Sequence, residues 1–238
     1  MIPKVIHYCW FGRGEKPKLA DKCISSWKKF CPDYEIIEWN EDNFDINSCA
    51  YTKEAYEARK YAFVTDYVRL YVMFTYGGIY MDTDVELVRP VDEFLSHKAF
   101  SGFESTRYIP TGIMASEKGM PIIEELLHHY DNRHFLLADG SLDTTTNCVA
   151  ITNTMLKYGL ILNGEYQEIE GFSFYPPDYF CPFVNETGEL KKTSNTAAIH
   201  WFNKSWLPKS IRIRSRITRV FHRWFGVDCF KWVKKWIS

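Results

Sequence analysis

The sequence predicts an α/β protein with a sheet of parallel character and a basic helical tail. Three observations predict this. Strand, helix and strand patterns follow one another within the first forty residues. A long apolar helical pattern then runs through Gly77-Gly78 into another strand. From residue 207 onward the composition turns strongly basic. The 238 residues are 46% hydrophobic and 25% charged, which suits one catalytic-sized domain, here 1–206, plus an appendage at 207–238.

Taken in order, VIHYCWFG reads as a first strand running into a loop at Gly12. Residues 18–31 carry Leu19, Cys23, Ile24 and Trp27 at helical spacing, and Pro32-Asp33 ends that helix. YEIIEWN (34–40) is a second strand, so the three form a βαβ unit whose strands should lie parallel. The spacing over 53–76 predicts a single long helix stopped by Gly77-Gly78. GIYMDTDVEL reads as one strand, KAFSGFES and TGIMAS as two more. MPIIEELLHHY is a helix with proline in its first turn, 144–158 is helical, and AAIHWF is a late strand. No internal repeat or low-complexity stretch interrupts this order.

Composition narrows the class of protein. The N-terminal dozen residues contain no long apolar core of a secretory leader, and no run approaches the ~20 apolar residues of a spanning helix. Seven cysteines (9, 23, 31, 49, 148, 181, 229) are scattered without a Cys-x-x-Cys pair, the pattern of reduced thiols in a cytoplasmic protein. Rings make up 17% of the chain, which serves either a ring-rich core or a surface that stacks sugars and bases.

The chemistry centres on TYGGIYMDTDVEL (75–87), where Asp82 and Asp84 flank Thr83. In an extended chain, alternate residues share a face, so both carboxylates point one way. Like charges that close call for a cation, a proton or a sugar hydroxyl between them. A Asp-x-Asp string alone is common; this one follows an apolar strand, and ligands of open α/β sheets gather at strand carboxyl ends. Mg²⁺ or Mn²⁺ held by one or two carboxylates together with diphosphate oxygens satisfies the pattern. Upstream, Asp66 and Arg69 share a helical face, either as a structural ion pair or as heads that hold sugar hydroxyls. Downstream, His200 follows the late strand, where it is either structural or a nitrogen ligand to the same metal.

Three blocks, IPKVIHYCWFG, YAFVTDYVRLYVMFTYGGIYMDTDVEL and AIHWFNKSW, together resemble glycosyltransferase family 32, the Asp-x-Asp sugar transferases of the capsular polysaccharide type. The clostridial glucosylating toxins are a more distant likeness. The blocks span residues 2–206 in the family's order. The resemblance implies a GT-A fold, a Rossmann-like mixed sheet flanked by helices. It also implies a Mn²⁺ or Mg²⁺ cofactor and a retaining hexosyl transfer from a nucleotide sugar. UDP-sugar is the preferred donor and GDP-mannose the second. By the same likeness Trp10 stacks on the base, while Asp66 and Arg69 grip the donor sugar. Tyr80 and Asp82 lie near ribose and sugar, Asp84 and His200 hold the metal with Asp82, and Ser205 and Trp206 close over the diphosphate. Asp66, Arg69, Asp82 and Asp84 form the expected catalytic set. Thr146-Asn147-Cys148 departs from the family's Thr-Gly-Pro, so the likeness gives no acceptor contacts there.

Residues 207–238 hold nine Lys or Arg and one acid, Asp228, giving the tail +8 against −9 for the rest. Ile213, Ile217, Val220, Phe221 and Trp224 recur at helical spacing, and Phe230, Val233 and Ile237 follow Gly226. A basic amphipathic helix of this kind suits an anionic membrane surface, at the inner face of the cell membrane, rather than nucleic acid. The competing expectation is a terminal helix that packs its apolar stripe on the domain. The acceptor implied by the capsule members is a glycan or lipid-linked oligosaccharide. Two other functions fit parts of the sequence. A haloacid-dehalogenase-type phosphatase also uses Asp-x-Asp, but it needs a downstream Asp-Asp pair that is absent. A non-catalytic carbohydrate-binding protein would tolerate a broken metal site.

Overall fold

The structure, a computed structural model, describes residues 1–105, 108–109, 112–204 and 209–229. The elements begin with β1 (Val5–Cys9), α1 (Lys18–Phe30) and β2 (Glu35–Trp39). Next come α2 (Ala50–Glu57), α3 (Tyr61–Tyr76), β3 (Gly78–Met81) and β4 (Val85–Leu87). They continue with β5 (Ala99–Gly102), β6 (Ile113–Ser116), α4 (Pro121–His128) and α5 (Asn147–Lys157). After β7 (Gln167–Ile169), β8 (Phe172–Tyr175) and α6 (Pro177–Phe180) come the short strands β9 (Phe183–Val184), β10 (Glu189–Leu190) and β11 (Ala198–His200). The described part closes on α7 (Lys209–Phe225).

Seven strands form one mixed sheet in the order β2-β1-β3-β6-β5-β8-β7. The expected βαβ unit is there: β1 pairs parallel with β2 in register Val5 to Glu35, and parallel with β3 on its other side. Strand β6 runs antiparallel to both β3 and β5, which makes the sheet mixed. The carboxyl ends of β1, β3 and β5 and the start of β6 therefore share one edge. Buried apolar side chains cover both faces. Trp27, Ile79, Phe100 and Phe180 lie on one, and Val68, Leu70, Phe103 and Phe172 on the other. The expected α/β fold with a flanked mixed sheet stands.

Two expectations on helices and strands are corrected. The single helix over 53–76 is two helices, α2 and α3, broken at residues 58–60. Arg59 takes the left-handed conformation (φ 56°), and Lys60 N–H turns back to the Ala55 carbonyl. Both pieces carry buried faces, so apolar spacing continues across the break. The strand over GIYMDTDVEL is likewise two strands. Val85 N–H donates to the Asp82 carbonyl at 2.9 Å, so residues 82–85 make a tight turn. Strand β3 stays in the large sheet, whereas β4 leaves to pair antiparallel with β11.

The corner from α3 into β3 shows why the paired glycines are there. Gly77 and Gly78 both have positive φ, 70° and 107°, where a Cβ is strained. A Cβ on Gly78 would also sit 2.7 Å from the Val5 carbonyl oxygen. The buried His7 ring fills this corner. Its Nδ1 accepts from Trp39 Nε1, so its Nε2–H donates to the Gly77 carbonyl at 2.9 Å. Burial keeps this imidazole neutral by lowering its pKa.

Candidate metal and donor site

The turn at 82–85 delivers the acid pair to the shared sheet edge. Asp82 N–H donates to the Gly112 carbonyl just before β6, which continues the β3–β6 ladder by one residue. Asp84 lies past the turn, and β11 brings His200 to it through the pairing of His200 with Val85. The result is a cluster of Asp82, Asp84 and His200 with one ligand atom from each within 4.8 Å of the others. His200 Nε2 stands 3.3 Å from Asp84 Oδ1. Asp84 Oδ2 accepts the Asn203 N–H at 2.7 Å, and its carbonyl accepts the Trp201 N–H at 3.0 Å. The two carboxylates thus converge through a turn and a second sheet, not through the alternation of one strand.

Behind the turn sits a second charged layer. Arg69 Nη2 lies 3.2 Å from Asp66 Oδ1 and 3.3 Å from Asp82 Oδ1, and its guanidinium covers the Tyr80 ring at 4.7 Å. Tyr80 is buried, and its hydroxyl donates to Asp82 at 3.0 Å. Asp66 accepts the Asn147 N–H at the start of α5 at 3.1 Å. Asn147 Nδ2 in turn donates to the Asp66 carbonyl at 2.8 Å. A helix N-terminus favours a carboxylate at that place. The segment that departed from the family pattern therefore anchors Asp66.

Environment separates the ionisable groups. Burial raises the Asp66 pKa to about 6, with Arg69 opposing it. Burial also raises Asp82, against Arg69 and with the Asp84 charge adding to the rise. At Asp84 burial pushes upward too, but the His200 charge overcomes it and the carboxyl ends below its usual range. Burial would lower His200, yet Asp84 holds it well above the ordinary imidazole value, with the Cys181 thiol alongside. Two carboxylates with divergent pKa values and an imidazole form a compact oxygen, oxygen, nitrogen donor set, which fits a divalent cation.

The residues before the turn and after β11 complete the inventory. Trp10 follows β1 at the same edge, with Nε1 donating to the Gly14 carbonyl and Lys16 5.8 Å above its ring. It does not touch the Asp-Asp-His cluster. Ser205 and Trp206 lie outside the described residues. Sequence reasoning missed four neighbours. Asn203 fixes Asp84; Gly112 packs under the imidazole, where a Cβ would meet His200 Nδ1 at 2.8 Å; and Asn147 holds Asp66. Glu104, two residues past β5, is the fourth, with His200 and Lys204 as its charged neighbours. Gly112 and Asn147 carried a signal only in hindsight of the pairing, because each acts across more than 80 residues of chain.

Comparison with known proteins finds likenesses of sequence and of fold. Residues 17–101 match the family described as the glycosyltransferase sugar-binding region containing the DXD motif. That segment is similar to the DXD-containing glycosyltransferases, and the chain's likeness to family 32 is borne out. Inositol phosphoceramide mannosyltransferase 3 of Schizosaccharomyces pombe is 28% identical over 145 residues, 56% of this chain and 40% of that protein. Subversion of eukaryotic traffic protein A of Legionella pneumophila is 23% identical over 234 residues, 84% of this chain and 34% of that protein. The chain thus spans less than half the length of these relatives. Among solved structures, the apo form of the glycosyltransferase GlyE of Streptococcus pneumoniae superposes with a TM-score of 0.50 at 10% identity. That likeness covers 100% of this chain and 65% of GlyE, and it bears on the fold alone.

Proposed function

We propose that this chain is a glycosyltransferase of the DXD type, a metal-dependent, retaining hexosyltransferase. It would use a UDP-sugar, or second GDP-mannose, and transfer the hexose to a glycan or lipid-linked oligosaccharide in surface polysaccharide synthesis. The observation that carries this is the convergence of Asp82, Asp84 and His200 within 4.8 Å, backed by the buried Asp66–Arg69 pair. A divalent ion held by these three residues would offset charge on the departing diphosphate. Arg69, fixed between Asp66 and Asp82, presents a rigid donor fork to sugar hydroxyls. Trp10 at the end of β1 would offer its ring to the base, and Ser205 and Trp206, which lie outside the described residues, would close the site against water. Retention then follows either a double displacement or same-face attack.

A cytoplasmic, peripheral place on the membrane belongs to the same proposal. Among the described residues no helix is long and apolar enough to cross a bilayer. Helix α7 instead presents Ile213, Ile217, Val220 and Trp224 outward, Trp224 being 77% exposed. Arg219, His222 and Arg223 face the body and hydrogen-bond to groups at 185–188. The competing expectation placed the stripe on the domain and the charges in water. In the described part of the tail the stripe faces outward while Arg214 and Arg216 are also exposed, which supports insertion of the stripe among lipids with flanking charges at the surface. Phe230, Val233 and Ile237 lie outside the described residues.

The test is turnover of a panel of UDP- and GDP-sugars with Mn²⁺ and an oligosaccharide acceptor, with the product linkage read by NMR. Transfer with the donor's anomeric configuration kept supports the proposal. Inverted product refutes retention. Sugar binding without any transfer or donor hydrolysis returns the non-catalytic carbohydrate-binding function, and release of inorganic phosphate from phosphomonoesters returns the phosphatase.

A further inference from the structure

Helix α7 meets the body of the protein over a cavity of about 240 Å³, whose walls include Phe183, Trp201, Phe202, Lys204, Arg216 and Arg219. Three cations and three rings thus face one small space. Arg219 is anchored: its Nε and Nη2 donate to the Asn185 carbonyl and Oδ1, both at 2.8 Å, over the Phe183 ring. Lys204 and Arg216 make no hydrogen bond or ion pair with any described residue. Burial, and then the Arg219 charge, lowers the Lys204 pKa; burial, and then Arg216, lowers that of Arg219. Glu186 and Glu104 face this group and offset part of the repulsion.

The loop that carries Lys204 is held in place at a cost. Phe202 and Lys204 are non-glycine residues with φ of 50° and 51°. Such backbone persists only when its surroundings over-determine it. Here they do: Asn203 N–H is on Asp84, Trp201 Nε1 donates to Glu86 at 2.8 Å, and the Phe202 ring lies 4.0 Å from that of His200. Arg219 and Lys204 are therefore held at a partly enclosed site, with the exposed Arg216 at its rim, without an opposing charge in contact. An arginine fork beside a lysine point charge is the donor chemistry that phosphate oxygens accept.

We infer that this cavity binds the phosphate of a membrane phospholipid headgroup. The placement selects that source, because the cavity lies under the inner face of α7 while the outer face carries the apolar stripe. One helix would thus seat its stripe among acyl chains, and the rim Arg216 with the inner Arg219 on the phosphate. The inference rests on the membrane proposal above and adds a specific headgroup contact to it. Since Asn203 also lines the cavity and touches Asp84, headgroup occupancy would bear directly on the loop beside the metal cluster.

The experiment titrates the full chain with dihexanoyl phosphatidylglycerol below its micelle concentration, and in parallel measures flotation with vesicles of the long-chain lipid. Arg216→Gln removes a cavity cation, while Arg214→Gln removes an exposed charge from the same helix outside the cavity. The expected result is short-chain lipid binding that weakens about tenfold in Arg216→Gln, the loss of one charge-assisted contact, and holds in Arg214→Gln. UDP with Mn²⁺ leaves it in place. Equal weakening in both variants would reduce the site to diffuse charge and overturn the inference. Displacement by UDP with Mn²⁺ would assign the phosphate contact to the nucleotide and overturn it as well. Vesicle flotation without short-chain binding overturns this inference alone; no flotation by the wild type overturns it together with the membrane proposal.

Discussion

At the scale of single residues, Gly112 is the most exposed to test. A Cβ there would approach His200 Nδ1 at 2.8 Å and Cε1 at 2.9 Å, so Gly112→Ala must push the imidazole away from Asp84. The expected outcome is Mn²⁺ affinity lower by roughly 10- to 100-fold, the size of effect seen when a ligand's support is lost. Isothermal titration checks this. Asp66 predicts a pH effect. Its pKa rises from 3.8 to about 6 on folding, so the native state binds that proton more tightly than the unfolded state. Stability contributed by this proton is complete below about 3.8 and is lost as pH rises to about 6. Relative to Asp66→Asn, the wild type should lose on the order of 1 to 3 kcal/mol across that window, read by urea unfolding at several pH values. The acid pair, Arg69 and His200 were legible in the sequence because their types are unusual beside apolar runs. Gly112 and Asn147 were not, since their roles exist only once β6 lies beside β3 and α5 beside α3.

At the scale of elements, local chemistry was easier to read than partnership. Gly77-Gly78 announced the end of α3, and the first βαβ unit followed from strand and helix spacing. The break at Arg59 was hidden because α2 and α3 both bury one side, so the apolar period crosses it without a proline or glycine. The departure of β4 from the main sheet was hidden for a different reason. Its partner, β11, lies more than 100 residues away, and three residues of pairing leave no periodicity to detect. The glycine corner gives the third prediction. Gly78→Ala places a Cβ at φ 107° and 2.7 Å from the Val5 carbonyl, which should destabilise the protein by at least about 1 to 3 kcal/mol. A lowered denaturation midpoint with unchanged slope checks it; an unchanged midpoint would mean that the corner relaxes freely.

At the scale of the whole molecule, charge and apolar surface are divided in space as they are along the chain. The acidic body carries the Asp82–Asp84–His200 cluster at one sheet edge, and the basic helix lies beside the loop that completes that cluster. Replacing outward Ile217 and Trp224 by Asp should abolish vesicle binding, checked by flotation, while circular dichroism shows the domain still folded, because both side chains are exposed and outside the cores. The central claim, however, is that Asp82, Asp84 and His200 hold a divalent ion for a nucleotide-sugar diphosphate. It is tested most directly by thermal unfolding with UDP-glucose, UDP-galactose and GDP-mannose, each with Mn²⁺ or EDTA, in the wild type and Asp84→Ala. A ligand that binds the native state at ~100 times its dissociation constant stabilises it by about 2.7 kcal/mol. The account predicts a raised midpoint with one of these donors and Mn²⁺, absent in EDTA and absent in Asp84→Ala. An equal rise in EDTA, or an undiminished rise in Asp84→Ala, would contradict it.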